Sequence, residues 1–477
     1  MASKKSSKKE LERLTEKLFW ERKLVWDCIT ARERNAIFSF GERYKIFLDE
    51  SKTERECVES IVSRAREKGF RPWKEAREEG TKKIYWVHQG KTVYLTVIGE
   101  DDVRNGLAII ASHHDSPRLD LKQNPLYEEV DLVFLKTHYY GGIKKYQWLA
   151  RPLALHGKVI LQDGKEFKLK LGEDDSDPVF TIADLLPHLA RKVQGQKKVS
   201  EAFEGEKLNI LVGSIPLGNS KVKERFKLAI INYLNETYGM TEEDFASAEL
   251  EVVPAGKARD LGFDRSLIGA YGHDDRSSVY TSLEAILELG RVKTTALACF
   301  YDKEEIGSEG STGAKSRFFE LVVSNILESQ GADPNISNIL EVLANSRGIS
   351  ADVNGALDPD YQEVHEKRNA ARIGYGVCVT KFTGSGGKYH SSDAHAEYIA
   401  WLRRLFNKHG VVWQTGELGK IDEGGGGTIA KFLASYGMNI VDCGTPLLSM
   451  HSPFEIASKA DLYMTRKAFE VFWKGEG

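Results

Sequence analysis

The 477-residue sequence lacks several things, and each absence excludes a class of protein. It has no run of 18 apolar residues, so no membrane span is expected. It has no excess of one charge: 67 basic side chains against 70 acidic ones give a net charge of −3. No global basic field attracts nucleic acid or anionic lipid, and neither is expected as a partner. Cysteine is scarce. Cys28, Cys57, Cys299, Cys378 and Cys443 are odd in number and contain no C-x-x-C pair. A disulfide framework is therefore not expected, and a reducing cytoplasm suits the chain. The basic start, "MASKKSSKKELERLTEK", has no apolar h-region and does not read as a secretory signal. It reads as a short disordered tail leading into a charged amphipathic helix, which is either solvated or packed on another subunit. No repeat of roughly 20–50 residues recurs.

What is present is an ordinary globular composition, 41% hydrophobic and 29% charged, in a chain too long for one core. Two domains are expected, one interrupting the other. Residues 8–68 carry helical patterns with few breakers. Residues 82–99 read as two β segments joined at Gln89-Gly90, and 106–115 as an apolar strand ending in a polar cluster. The stretch 121–264 turns to β patterning, with a helical insert around "TIADLLPHLARKV". From about 265 helix and strand alternate. Helices are predicted over 277–290, 312–329, 395–410, 425–437 and 458–474, with strands over 294–302, 346–352, 411–417 and 438–446. That alternation predicts an α/β sandwich around a largely parallel sheet.

Polar clusters sit where these apolar strands end. In "ASHHDSPRLDLK" (111–122), His113 and Asp115 share one face of a strand and His114 the other. His113 is the better metal-ligand candidate, with Asp115 orienting it. "YGHDDRSS" (271–278) opens a helix, where adjacent carboxylates can cap backbone N–H groups or bridge two cations. "ALACFYDKEEIGSEGSTGAKS" (296–316) runs an apolar strand into Glu304-Glu305. One such glutamate can hold a metal while the other takes a proton from the attacking water. "SRGISADVNG" supplies Asp352, and "DCGTPLLSMHSPFE" supplies His451. Each cluster alone has a plain structural reading. Together they offer His, Asp, Glu, Asp and His at strand ends, where open α/β sheets collect ligands. Two divalent ions sharing a carboxylate need about this set, and zinc accepts it.

The ordered series His-x-Asp-Ser-Pro, Gly-His-Asp-Asp-Arg, Glu-Glu-x-Gly-Ser-Glu, Ser-Ala-Asp and Ser-Met-His-Ser resembles the aspartyl aminopeptidase family of dizinc metallopeptidases. So do "YYGGIKKYQWLARPLALHGKVI" and "LLPHLA", and "GHDDR" is closer to bacterial members than to animal ones. The resemblance implies a catalytic α/β/α sandwich with a mixed, largely parallel sheet, built from residues 1–120 and 265–477. A β-rich dimerisation domain, 121–264, is inserted, and dimers assemble into a dodecamer. It implies that His113 and Asp352 hold one metal, Glu305 and His451 the other, and that Asp275 bridges them. Glu304 would be the general base and Asp115 the partner of His113. Lys381 and Tyr389 would contact substrate, and His188 would reach a neighbouring subunit's site. The ions would be zinc, with cobalt or manganese as alternatives. Gly355 stands where animal members carry a substrate-contacting histidine. The implied activity is removal of N-terminal residues from peptides, with acidic residues a candidate preference. The alternatives are a related dinuclear deacylase, a non-catalytic assembly protein, and a paired-carboxylate glycosidase, which leaves the two histidines unexplained.

Overall fold

A computed structural model describes residues 8–475; the disordered-tail expectation for residues 1–7 lies outside them. A nine-stranded sheet runs Arg71–Pro72, Lys83–His88, Thr92–Val97, Ala296–Tyr301, Ala108–His113, Arg347–Ser350, Asn439–Gly444, Val377–Thr380, Trp413–Thr415. The middle four strands, Ala296–Tyr301 through Asn439–Gly444, are parallel to one another. Antiparallel pairs flank them on both sides, so the sheet is mixed.

The apolar runs in these strands reflect burial on both faces. In Ala296–Tyr301, Ala296, Ala298 and Phe300 enter one core, and Leu297, Cys299 and Tyr301 the other. Ala108–His113 divides likewise, with Ala108 and Ile110 against Ile109 and Ala111. Helices Ala31–Glu50, Glu54–Glu67, His273–Leu287 and Lys459–Lys474 cover the first face. Phe318–Ser329 and Ile336–Asn345 cover the second, completing an α/β/α arrangement.

Several elements differ from the sequence reading. The helical stretch 8–68 divides, because Thr30 and Thr53 each open a new helix with a capping box to Glu33 and Glu56. The helix expected over 425–437 shrinks to Ala430–Ala434. Gly424–Gly427 stay a loop, since each glycine in a helix costs about 1 kcal/mol against alanine. Only Pro187–Val193 is helical in "TIADLLPHLARKV", starting at a proline suited to the first turn. Strand Val377–Thr380 and helix Ile336–Asn345 were not expected.

A second sheet, wholly antiparallel, is ordered Glu166–Leu171, Leu153–Ile160, Glu249–Pro254, Arg118–Glu129, Leu132–Tyr140, Ile210–Gly213. It has its own core around Trp148, Leu153, Phe245 and Val252. It begins at Arg118, so the strand leaving the main sheet passes into it directly after the His113 cluster. A third sheet pairs Leu267–Ala270 with Glu455–Ser458 and brings the start of helix His273–Leu287 beside His451. Among the described residues no helix is long and apolar enough to cross a membrane, and the five cysteines are unpaired.

Candidate metal centre

The polar clusters meet at the carboxyl ends of the parallel strands, in a cleft of about 460 Å³. His113 ends its strand fully buried. Its Nδ1 lies 3.1 Å from the Asp115 carbonyl and 3.2 Å from Asp115 Oδ1. That leaves Nε2 turned into the cleft, 3.4 Å from Asp274 Oδ1 and 3.9 Å from Asp352 Oδ1. His451 is arranged the same way. Its Nδ1 lies 3.0 Å from the Gly142 carbonyl, and its Nε2 is 3.2 Å from Asp274 Oδ2 and 3.4 Å from Glu305 Oε1. In each ring one nitrogen is fixed by a backbone carbonyl and the other is offered to carboxylates, the usual arrangement of a metal-ligating histidine.

Asp274, not Asp275, is the carboxylate that faces both histidines. The first residues of helix His273–Leu287 have non-helical backbone angles, and these turn the adjacent carboxylates to different sides. Asp274 is held from both ends of its own backbone: its N–H donates to Glu455 Oε2 at 3.0 Å, and its carbonyl accepts from Ser116 Oγ at 2.6 Å. Glu455 Oε1 also accepts the His451 N–H at 2.7 Å. Asp275 is buried, and neither of its oxygens has a hydrogen-bond partner. It groups with His113 and Asp352, their ligand atoms within 4.8 Å of one another, while Asp274 groups with His113 and Glu305.

Asp115 ties this centre together. Its Oδ1 accepts from Glu304 N and its Oδ2 from Glu305 N, both at 3.1 Å, and Oδ2 also accepts the Tyr140 hydroxyl at 2.8 Å. Glu304 Oε2 stands 4.0 Å from His113 Nε2, and Glu305 faces His451.

The electrostatics are those of a pocket crowded with buried carboxylates. Burial pushes the Glu304 carboxyl up to about 7, Asp442 to about 6 and Glu455 to about 8. Burial also raises Asp275, Glu305 and Asp352 well above the usual carboxylate range. Asp274 is the exception: burial would raise it too, but hydrogen bonds to His113 and His451 hold it below that range. Burial opposes charge on His113, yet bonds to Asp115 and Asp274 raise it well above its ordinary value. Orphaned oxygens on Asp275 and Glu305, mixed N/O donors and surplus negative charge fit divalent zinc.

The three residues expected to contact substrate do not line this chain's own cleft. Lys381 lines an adjacent apolar cavity of about 450 Å³ with Trp20, Phe382 and Trp413, its Nζ 3.8 Å from Asp393 Oδ1. Tyr389 is 71% exposed and outside the cleft lining. His188 is exposed on helix Pro187–Val193 and does not line the cleft. A side chain at Gly355 would meet Leu418 Cδ1 at 2.7 Å. Sequence reasoning missed Glu455, Tyr140, Gly142 and Asp442. Asp442 had a readable cue as an acid within an apolar strand, and Tyr140 and Gly142 lie in the "YYGG" of the stretch that carries the family resemblance.

This fold and centre define a metal-dependent hydrolase. The model of the Peptidase M18 family, described as aminopeptidase I zinc metalloprotease, matches residues 47–473. The chain belongs to that family of zinc aminopeptidases. A probable M18 family aminopeptidase 1 of Clostridium acetobutylicum is 49% identical over 460 residues, 95% of this chain and 98% of that protein. The crystal structure of the M18 aminopeptidase from Thermotoga maritima is 47% identical with a TM-score of 0.92, covering 96% of this chain and 100% of that one. The S. cerevisiae mApe1 dodecamer structure, 20% identical, shares the fold at a TM-score of 0.73 over 92% of this chain and 97% of that one.

Proposed function

We propose that this protein removes N-terminal residues from peptides with two zinc ions and Glu304 as general base. The observation that supports it best is Asp274, whose two oxygens face His113 and His451 at 3.4 and 3.2 Å. In this reading His113 and Asp352 hold one ion, Glu305 and His451 the other, and Asp274 is shared between them. Asp275 borders the His113 side. Zinc, when bound, supplies Lewis acidity that acidifies the attacking water and stabilises charge on the scissile carbonyl. Glu304 reaches the cleft without facing His451, takes the proton of the attacking water at its carboxylate and returns it to the leaving amine. Asp115 keeps the backbone of Glu304 and Glu305 and the His113 ring in register for this. An acidic preference would draw on Lys388, Lys420 and Lys431, which line the cleft, rather than on Lys381.

We further propose that residues 1–120 and 265–477 form the catalytic domain, with 121–264 an inserted dimerisation domain. The chain then acts as a cytoplasmic homo-oligomer whose dimers build a dodecamer; the yeast structure of the same fold is itself a dodecamer. His188, exposed in that insert, is then free to reach a neighbouring subunit's site.

The test is hydrolysis of a panel of aminoacyl chromogenic substrates, with chelator and then with zinc, cobalt or manganese restored. Cleavage lost to chelator and regained with metal, with N-acetylated substrates inert, supports the reading. Equal cleavage of N-acetylated substrates would move it to a deacylase. Glu304→Gln is expected to lower kcat by about 10²–10⁴-fold while zinc stays bound.

A further inference from the structure

The second sheet supplies none of the proposed ligands, yet one short piece of it borders the centre. At the end of strand Leu132–Tyr140, the Tyr140 hydroxyl donates to Asp115 Oδ2 at 2.8 Å. Two residues on, the Gly142 carbonyl accepts from His451 Nδ1 at 3.0 Å. Between them, a Cβ on Gly141 would stand 3.3 Å from Glu305 Cβ, and one on Gly142 would stand 3.2 Å from His451 Nδ1. Three successive residues thus touch both histidine sides of the cleft. Asp115 extends the reach of Tyr140 by accepting from His113 Nδ1, Glu304 N and Glu305 N.

Tyr140 is itself held firmly. The buried Arg118 guanidinium lies 4.0 Å from its ring centroid. Arg118 donates to Glu54 at 3.0 Å, in the helical layer, and to Asp120 at 2.7 Å, in the second sheet. A cation over the ring and two charge-assisted bonds fix the phenol where only its hydroxyl reaches Asp115.

We propose that Tyr140-Gly141-Gly142 is a positioning strap, through which the second sheet sets the zinc affinity and turnover of a centre to which it gives no ligand. The proposal rests on the metal assignment above. The reason is orientation. A ligating histidine binds well when its second nitrogen is fixed, and loss of such a partner typically costs about 10–100-fold in metal affinity. Gly142 is small because a side chain there would crowd the His451 ring.

The test compares the full-length wild-type protein with Tyr140→Phe, Gly142→Ala and the control Tyr139→Phe, an exposed neighbour on the same strand. Zinc affinity is read by competition with a chromophoric chelator, alongside kcat, KM and the Tm of zinc-free protein. Tyr140→Phe keeps its ring beneath Arg118 and loses only the hydroxyl. Zinc affinity is expected to fall about tenfold or more, kcat to fall with KM little changed, and the zinc-free Tm to hold. Gly142→Ala should move the same way, and Tyr139→Phe should not. Wild-type zinc affinity and kcat in both strap variants would overturn the proposal. So would a lowered zinc-free Tm with unchanged zinc affinity, which marks a merely structural role. A wild-type protein that ignores chelator would instead sink the metal assignment itself.

Discussion

Asp115→Asn is the most informative single change, because the structure allows its cost to be worked out. The carboxylate accepts four hydrogen bonds: Oδ1 from His113 Nδ1 and Glu304 N, and Oδ2 from Tyr140 Oη and Glu305 N. Asparagine has the same shape but replaces one acceptor with an NH2 donor. If its oxygen faces His113 and Glu304, both of those donors stay satisfied. The Tyr140 hydroxyl can turn and accept from the new amide. The Glu305 N–H cannot turn, and it is left buried against a donor. The opposite amide orientation also orphans one donor, Glu304 N–H, because His113 Nδ1–H keeps the Asp115 backbone carbonyl. One unsatisfied buried donor costs about 1–3 kcal/mol. At 1.36 kcal/mol per factor of ten, that is about 5- to 150-fold. The cost falls on backbone that carries Glu304 and Glu305, so it should appear in zinc affinity and in kcat at saturating zinc. The assay is chelator competition followed by steady-state kinetics, with the zinc-free Tm as a check on folding. Zinc affinity and kcat both within about twofold of wild type would refute the claim that Asp115 positions this centre.

Three further outcomes follow from the structure. Asp274→Asn should weaken zinc binding at both positions in a calorimetric titration, whereas Asp275→Asn should weaken only the ion on the His113 side; the reverse pattern would return the bridge to Asp275. Buried His156 lies 3.0 Å from both Glu56 and Glu173, and although burial opposes its charge, these bonds raise it above its ordinary 6.5. Its stabilising contribution is therefore complete below about pH 6.5 and is lost as pH rises through the raised value. The Tm gap between wild type and His156→Gln should narrow from pH 6 to 9, and a constant gap would count against a charged His156. Phe319→Ala, fully buried beside Tyr94 and Tyr436, should cost about 3–5 kcal/mol by urea denaturation while kcat below the transition is retained.

The sequence by itself determined the layers and the location of the chemistry. Runs such as Ala296–Tyr301 are apolar at every position because both faces of the sheet are covered. Where such a run meets His113, Glu304-Glu305 or Asp352, the polar residues must emerge at a strand's carboxyl end. Parallel strands then bring those ends together, so the cluster was legible before any contact was known. Tertiary structure alone decided which neighbour in a pair does what. Asp274 and Asp275 are chemically identical, and only the backbone turn at the helix start aims one of them between the two histidines. Lys381 reads as a substrate contact, but just past the end of strand Val377–Thr380 it lines a neighbouring apolar cavity. Glu455 gave no local cue, and the "YYGG" stretch marked Tyr140 and Gly142 without saying what they touch. Their roles come from hydrogen bonds across long sequence separations, such as the 181 residues between Asp274 and Glu455, which only the packed chain brings within reach.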